Sequence, residues 1–220
     1  MRKQTLTAAA IALAATLGSP AAKADEAGWY AAANVGMGDL SSSSLTYSDG
    51  NVSETISSGF DAGFTGGASA GYRFGNRFRL EGEIAYRRNE FDGGAFPTLG
   101  SFNGGDYASF GLGVNALYDF PLGSSDRWSG FVGLGYMRIE EVDIDFETDG
   151  QQEVSFETDG DGLQLKLGGR YAPSDRWFVE AGATWFDGGS VAMQLPSAPS
   201  ETLSADYDHL RFTIGAGFRF

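Results

Sequence analysis

The single histidine of the chain stands near the residue types that a hydrolytic site would use. His209 follows Asp206 and Asp208, and Ser204 precedes them. A serine nucleophile, a histidine base and an orienting aspartate together catalyse acyl transfer. Neighbouring residues of an extended chain alternate in direction, however, so neither aspartate need face the imidazole ring. We therefore predict no catalytic residue and interpret His209 as a histidine at the edge of a loop.

A row of acidic residues has the composition of a calcium site. Asp143, Asp145, Glu147 and Asp149 alternate with other residues, and the stretch from Asp145 partly resembles an EF-hand loop. Position twelve of such a loop should hold a bidentate glutamate, but here it is Phe156. Loose attraction of Ca²⁺ or Mg²⁺ and a solvated strand edge both stay open. The second is favoured, and we predict no metal ligand and no cofactor.

A third set of charged residues recurs on the polar face of alternating segments, where glycines separate the charges. Acids and bases on one face can pair, as burial requires. We predict that this face lines the interior of a barrel. The residues concerned are Arg73, Arg79, Glu81, Glu83, Arg87, Lys166, Arg170, Glu180, Arg211 and Arg219.

Period-two alternation of apolar and polar residues recurs along the chain and predicts β-strands. It is clearest at the C-terminus, where Phe212, Ile214 and Phe218 share one face and Arg211 and Arg219 share the other. The eight predicted strands span residues 29–38, 60–74, 78–86, 108–120, 128–146, 163–171, 177–186 and 210–220.

The predicted connections are short and long in strict alternation. Short ones occupy residues 75–77, 121–127 and 173–176. Long ones, rich in Ser, Gly, Asp and Glu, occupy residues 39–59, 89–106, 147–161 and 187–208. This arrangement is typical of outer-membrane barrels. The sequence therefore predicts an all-β fold, an eight-stranded antiparallel up-and-down transmembrane β-barrel with four long extracellular loops.

Alternation alone does not say which face meets lipid, since soluble barrels also alternate. Aromatic residues gather near the short connections and predict one girdle at the membrane interface. They are Trp29, Tyr72, Phe74, Phe78, Tyr118, Phe120, Trp128, Tyr171, Trp177, Phe218 and Phe220. The girdle and the one-sided loops favour lipid on the apolar face. Glycines on the polar face leave room for thin gaps in the lumen.

The first 24 residues have the pattern of a secretory signal peptide. Arg2 and Lys3 precede an apolar run over 8–17, and Ala22-Lys23-Ala24 resembles a cleavage site. We predict a signal peptide at 1–24 and a barrel domain at 25–220.

Composition excludes several classes of partner and site. The formal net charge is −14. Removal of the predicted signal peptide leaves 12 basic against 29 acidic residues, or −17. This balance excludes nucleic acid as a natural partner. The absence of cysteine excludes disulfides and thiolate metal sites.

The last eight residues, Thr213-Ile214-Gly215-Ala216-Gly217-Phe218-Arg219-Phe220, carry the most specific motif. With the strand pattern, they resemble the small outer-membrane barrels of Gram-negative bacteria: the opacity-type proteins, the outer-membrane protein X group and the barrel domain of outer-membrane protein A. The resemblance implies an outer-membrane location, contact with lipid and lipopolysaccharide, and recognition by the barrel-assembly machinery through Gly215, Phe218 and Phe220.

The resemblance also orders the functional alternatives. It implies a non-enzymatic surface barrel with a structural, integrity or adhesion-type role, in which the loops meet a host or cell-surface ligand. A small passive channel or carrier of hydrophobic solutes is the second hypothesis. A lipid-A-modifying enzyme is the third, because related deacylases place a serine two residues after the histidine, where this chain has Arg211.

Overall fold

The computed structural model describes residues 27–40, 43–58, 62–96, 100–124, 126–147, 154–195 and 198–220. The predicted signal peptide lies outside these residues. None of the described residues forms a helix long and apolar enough to cross a membrane. The strands are β1 (Gly28–Leu40), β2 (Ser43–Ser48), β3 (Ser53–Ser58), β4 (Gly63–Arg73), β5 (Phe78–Phe96), β6 (Gly100–Pro121), β7 (Trp128–Glu147), β8 (Val154–Tyr171), β9 (Trp177–Leu195) and β10 (Ala198–Arg219).

The strands form a closed antiparallel barrel, which confirms the predicted fold class. From β4 to β10 each strand pairs with the next, β4 also pairs with β1, and β10 closes the barrel on β1. We call the β1–β10 contact the seam. It runs from Tyr30 opposite Arg219 to Leu40 opposite His209. Every barrel strand therefore has two hydrogen-bonded neighbours, as a spanning sheet in lipid requires.

The ten strands form eight barrel-spanning segments, which we call walls, because each strand of the first hairpin is interrupted once. Trp29 pairs with Tyr72 in β1–β4, and Ser43 pairs with Ser58 in β2–β3, so both segments share one register. β2 also pairs with β10, through residues 202–204, which lie nearer the start of β10 than the residues of the seam. β1 and β2 thus serve one wall, and β3 and β4 the next.

The loops predicted at 39–59, 89–106, 147–161 and 187–208 are wrong over most of their length. They are paired strands that prolong the barrel: β2 and β3 occupy the first, and β5–β6, β7–β8 and β9–β10 pair through much of the others. The apolar alternation stops there because neither face meets lipid, while the backbone pairing continues. We call this end of the barrel the tall end, and the other the short-turn end.

The tip of the first hairpin is a compact turn. The backbone N–H groups of Val52 and Asn51 both donate to Asp49 Oδ1 at 2.7 Å, and Gly50 takes the left-handed conformation with φ 89°. These backbone donors hold the pKa of Asp49 below its ordinary value. Near this tip, the buried Tyr47 donates from its hydroxyl to Glu201 Oε2 on β10 at 2.9 Å. The hairpin is thereby fastened to the neighbouring wall.

The outer face of the barrel carries two aromatic belts, one more than the sequence analysis predicts. Ring pairs such as Trp29–Tyr72, Phe78–Tyr118 and Trp177–Phe218 run along the short-turn end with centroids 5.0–5.2 Å apart. A second set lies nearer the tall end. Six walls hold one aromatic residue in each belt, eight residues apart: Phe64 and Tyr72, Phe78 and Tyr86, Phe110 and Tyr118, Trp128 and Tyr136, Trp177 and Trp185, Phe212 and Phe220.

The spacing of the two belts matches a membrane. Eight residues of extended strand measure about 26 Å. At the ~40° tilt of barrel strands, this gives a height of about 20 Å, close to the ~25 Å apolar band of an outer membrane. Large apolar side chains such as Ile84, Val132 and Leu134 are exposed between the belts. Lipid contact explains their exposure, which water would penalise.

A charge placed between the belts should destabilise the barrel. Val132 lies midway between Trp128 and Tyr136 and is 43% exposed, and Val52 at the hairpin tip is exposed to the same extent. We expect Val132→Arg to lower the free energy of unfolding in phospholipid vesicles by about 2–4 kcal/mol. The control Val52→Arg should change it by less than about 0.5 kcal/mol. Equal effects in urea titrations would contradict the membrane placement.

Candidate functional site

The lumen at the short-turn end is closed by aromatic rings and arginines. Tyr30 and Phe178 are buried there against Ala32 and Ala172, with their rings 5.9 Å apart. The Arg170 guanidinium lies 3.9 Å from the centre of the Phe178 ring, a cation–π distance. These side chains stand between the middle of the barrel and a cavity of about 70 Å³ at the short-turn end, which Arg73, Asp119 and Arg219 help to line.

Arg79 is the centre of a hydrogen-bonded group just inside this end. Its Nε lies 2.9 Å from Asp119 Oδ1, and its Nη1 donates to the Tyr30 hydroxyl at 3.1 Å. That hydroxyl donates in turn to Glu81 Oε2 at 2.7 Å. Arg73 Nε reaches the other Asp119 oxygen at 3.2 Å. Asp119 is absent from the predicted set of interior charges, although the alternation over 108–120 places it on the polar face.

Two glutamates hold the middle of the lumen. Lys166 Nζ lies 3.0 Å from both Glu81 Oε1 and Glu83 Oε2. Arg211 Nη2 forms an ion pair with Glu83 Oε1. These groups come from β5, β8 and β10, which lie on different sides of the barrel. The closed barrel therefore brings opposite charges together across its interior.

Two amide side chains complete the coordination of Glu83. Asn115 Nδ2 donates to Glu83 Oε2 at 2.9 Å, and Gln164 Nε2 donates to the same oxygen at 3.2 Å. Both amides are buried. Residue type alone did not single them out, but their positions on the polar faces of β6 and β8 were readable from the alternation.

The structure places all nine charged residues of the predicted interior set, and Arg87 with them, on the lumen side. Arg170 pairs with Glu180, with Nη2 2.8 Å from Oε2. Arg219 lies over Phe178, with 5.6 Å from its guanidinium carbon to the ring centre, and donates to the Asp175 carbonyl at 3.5 Å. Most charges of the described interior are thus linked in ion pairs, whereas Arg219 and Arg87 lie against aromatic rings.

The predicted gaps beside interior glycines are occupied by large side chains. A Cβ at Gly217 would overlap the Phe178 ring, and one at Gly135 would overlap the Asn115 amide. Glycine is required at these two positions because a neighbour fills the space. The mid-lumen cavity, which Glu81, Glu83 and Arg211 help to line, measures about 30 Å³. It has room for a water molecule or two.

The tall end of the lumen holds a second aromatic cluster, which includes His209. The His209 ring stacks on Phe186 with centroids 4.9 Å apart, and Tyr207 and Tyr107 extend the cluster. Ser109 Oγ lies 3.1 Å from the Tyr207 hydroxyl oxygen. His209 is only 5% exposed and lies within β10, so its interpretation as a loop-edge histidine is wrong. The long hairpins carry β10 well beyond this residue.

Asp208 directly precedes His209 on the extended strand β10, where neighbouring side chains point to opposite faces, and Ser204 lies five residues earlier on the same strand. The Asp206 side chain lies outside the described residues. Within the described part of the chain, no group of three or more metal-ligating side chains comes together. Asp143, Asp145 and Glu147 lie along strand β7, and Asp149 lies outside the described residues. The backbone of β7 is extended rather than curled around an ion.

The C-terminal motif lies on the seam and on the belt at the short-turn end. Gly215 stands opposite Asn34 of β1, and a Cβ at this glycine would press on the Ala33 carbonyl oxygen. The Phe218 ring packs edge-on against Trp177 and Phe220. The Phe220 N–H donates to the Trp29 carbonyl at 3.0 Å. Phe220 thereby joins the end of β10 to the start of β1.

Comparison with known proteins agrees with this architecture. A family model described as outer membrane protein beta-barrel domain matches residues 7–220. A search of curated protein sequences finds no significant match.

Three solved structures share the fold. The outer membrane protein OprG from Pseudomonas aeruginosa is 16% identical with a TM-score of 0.64, over 90% of this chain and 99% of that chain. AlkL, solved by solid-state NMR in DMPC bilayers, is 18% identical with a TM-score of 0.55, over 93% and 95%. Neisserial surface protein A is 19% identical with a TM-score of 0.51, over 88% and 99%. At these identities the similarity concerns the fold alone.

Neutralising Glu83 should destabilise the folded barrel. Glu83→Gln keeps the side-chain shape but leaves the buried Arg211 without its acid, so we expect a loss of about 3–5 kcal/mol in the free energy of unfolding. Glu90→Gln on the exposed face of the same strand is the control, with an expected change below about 0.5 kcal/mol. Urea titrations in detergent or vesicles give both values. A Glu83→Gln protein as stable as wild type would contradict the structural role of the ion pairs.

Proposed function

Because the chain belongs to the outer membrane protein beta-barrel domain family, we propose that it is a plugged surface barrel with a non-enzymatic role. The chain is an outer-membrane protein. The observation that carries the proposal is the contrast between its two ends: side chains fill the lumen, while paired hairpins rise beyond the lipid band at the tall end. A barrel of this kind offers the cell surface a rigid platform rather than an open passage.

The dimensions of the hairpins support a role above the membrane. β6 has 22 residues, which corresponds to about 73 Å of extended chain. Only about 35 Å of tilted strand is needed to cross an apolar band of ~25 Å. The remainder of β6, with its partners β5 and β7, stands in water. Integrity of the envelope or adhesion to another surface is the role that this shape favours.

The charge of the tall end supports contact with a ligand rather than burial in lipid. Above the second belt, the outward face carries two exposed bases, Arg88 and Arg138, the second paired with Glu140 at 3.1 Å. The exposed acids there are more numerous and include Asp39, Glu90, Glu140, Asp161 and Asp187. Carboxylates at this height face the headgroups of lipopolysaccharide and the medium. A host or cell-surface ligand that meets the hairpins would need basic groups or bridging cations.

Shortening the hairpins should abolish the surface role while leaving the barrel assembled. Residues 140–159 of β7–β8 can be replaced by an Asn-Gly turn between Ile139 and Gly160, which already pair. We expect a deletion strain to regain its lost surface phenotype, measured as cell adhesion and detergent resistance, with the wild-type chain but not with the shortened one. The shortened protein should still migrate differently before and after boiling, which reports that the barrel is folded.

Three results would contradict the proposal. The first is full complementation by the folded, shortened chain. The second is a series of discrete, reproducible openings by the wild-type protein in planar bilayers, which would favour the channel. The third is a lipid A modification, detected by mass spectrometry, that is lost in a His209→Ala strain, which would favour the enzyme.

We also propose that Gly215, Phe218 and Phe220 form the signal read by the barrel-assembly machinery. Their placement on the seam and the rim supports this, because a strand that closes the barrel must be recognised before closure. The Phe220 ring packs against Phe218 much as other aromatic rings of the short-turn belt pack against their neighbours. A requirement for this particular side chain would therefore point to recognition rather than to stability.

Removal of the Phe220 ring should impair assembly more than removal of another rim ring. We expect Phe220→Ala, and more severely deletion of Phe220, to lower the fraction of heat-modifiable protein in the outer membrane. Phe74→Ala, which removes a ring packed 5.0 Å from Tyr72, is the matched control and should assemble at nearly the wild-type level. Equal assembly of the two alanine variants would overturn the signal role of Phe220.

A further inference from the structure

Arg87 is a buried cation that the ion pairs of the lumen do not reach. It is 4% exposed, and its buried Nε, Nη1 and Nη2 atoms have no hydrogen-bond partner among the described residues. The guanidinium instead lies 5.4 Å from the ring centres of both Tyr107 and Tyr207. Aromatic faces attract a cation, but they do not accept the five N–H bonds that a guanidinium offers.

Two more basic side chains, His209 and Arg211, lie beside Arg87. Arg87, His209 and Arg211 line a cavity of about 20 Å³ at the tall end of the lumen, with Thr65 and Ser109. His209 Nδ1 and Arg211 Nε are also buried, and neither has a hydrogen-bond partner in the described part of the chain. Arg211 already uses its Nη2 on Glu83. None of the described residues that line this cavity carries a carboxylate.

The described residues of the lumen as a whole also carry a net positive charge. Among the described lumen residues from Arg219 up to the level of His209, seven are basic and four are acidic. The bases are Arg73, Arg79, Arg87, Lys166, Arg170, Arg211 and Arg219, and the acids are Glu81, Glu83, Asp119 and Glu180. A guanidinium does not lose its proton in a protein, and an unpaired buried charge is strongly unfavourable. The folded barrel thus has a reason to hold an anion.

We propose that the cavity between Arg87, His209 and Arg211 binds one small monovalent inorganic anion of chloride size. A volume of about 20 Å³ holds a single particle the size of a water molecule, which excludes sulfate, phosphate and organic acids. The anion accepts N–H bonds from Arg87 and balances its charge. The aromatic cluster of Tyr107, Phe186 and Tyr207 screens the site from the medium. The site does not depend on the surface role proposed above.

Anion-dependent stability of the purified, folded protein tests the site. Urea unfolding is followed in chloride and in gluconate at equal ionic strength, since gluconate is too large for the cavity. At chloride ten times its dissociation constant, we expect the folding equilibrium constant of the wild type to rise about 11-fold over gluconate. In Arg87→Met the rise should disappear, because the variant has no charge to balance. In Arg88→Met, which removes the neighbouring exposed charge, it should persist.

Diffraction gives a second test that needs no variant. Crystals of the wild-type protein soaked in bromide should show an anomalous peak between the Arg87 guanidinium and the His209 ring. Equal stability of the wild type in chloride and gluconate would overturn the proposal, as would an Arg87→Met protein that keeps the chloride effect. If Arg87→Met does not fold, the absence of the bromide peak decides against the site, and its presence decides for it.

Discussion

The backbone hydrogen bonds of the seam are the interaction on which the rest of the structure depends. Lipid offers no partner to an unpaired N–H or C=O group, and each one left there costs several kcal/mol. β10 removes this cost along its whole path through the membrane by pairing with β1, from Arg219 to His209. Phe220 adds a last bond to Trp29. Closure also separates a face in contact with lipid from an enclosed interior, and the alternating apolar and polar residues match these two environments.

An interior of fixed width then decides how the polar faces are filled. An eight-stranded barrel is just wide enough for side chains to meet across its axis. Glu83 on β5 therefore reaches Lys166 on β8 and Arg211 on β10, residues that lie far apart in the chain. Large and small residues alternate for the same reason: Phe178 occupies the space over Gly217. The result is a lumen filled by pairs of opposite charge and rings, with basic groups in excess near the tall end.

The hairpins extend this order beyond the membrane. Since β2 pairs with β10 and Tyr47 is fastened to Glu201, the part above the lipid is a continuation of the barrel wall. A ligand would meet a shaped, acidic surface at this end. The two surfaces differ in charge balance. Exposed acids outnumber Arg88 and Arg138 on the described outward face above the second belt, whereas bases outnumber acids in the described lumen.

Much of the membrane-spanning part could be predicted from the sequence. The eight walls, the short turns and the division into lipid and lumen faces follow from period-two alternation, because lipid demands apolar residues on one side of every spanning strand. The second belt was also readable, since an aromatic residue recurs eight positions away from the first on six walls. The length of the hairpins was not, because in water neither face needs to be apolar and the pattern fades while pairing continues.

The sequence by itself thus determined the walls of the barrel, the face that each side chain shares, and the closing strand that ends on Phe220. Only the tertiary structure decided which interior residues meet. Whether Asp119 pairs with Arg79, whether His209 is buried on Phe186, and whether Arg87 is left with rings instead of an acid all depend on strand register and barrel width. Those quantities arise from the pairing of strands around a closed ring, and no single strand contains them.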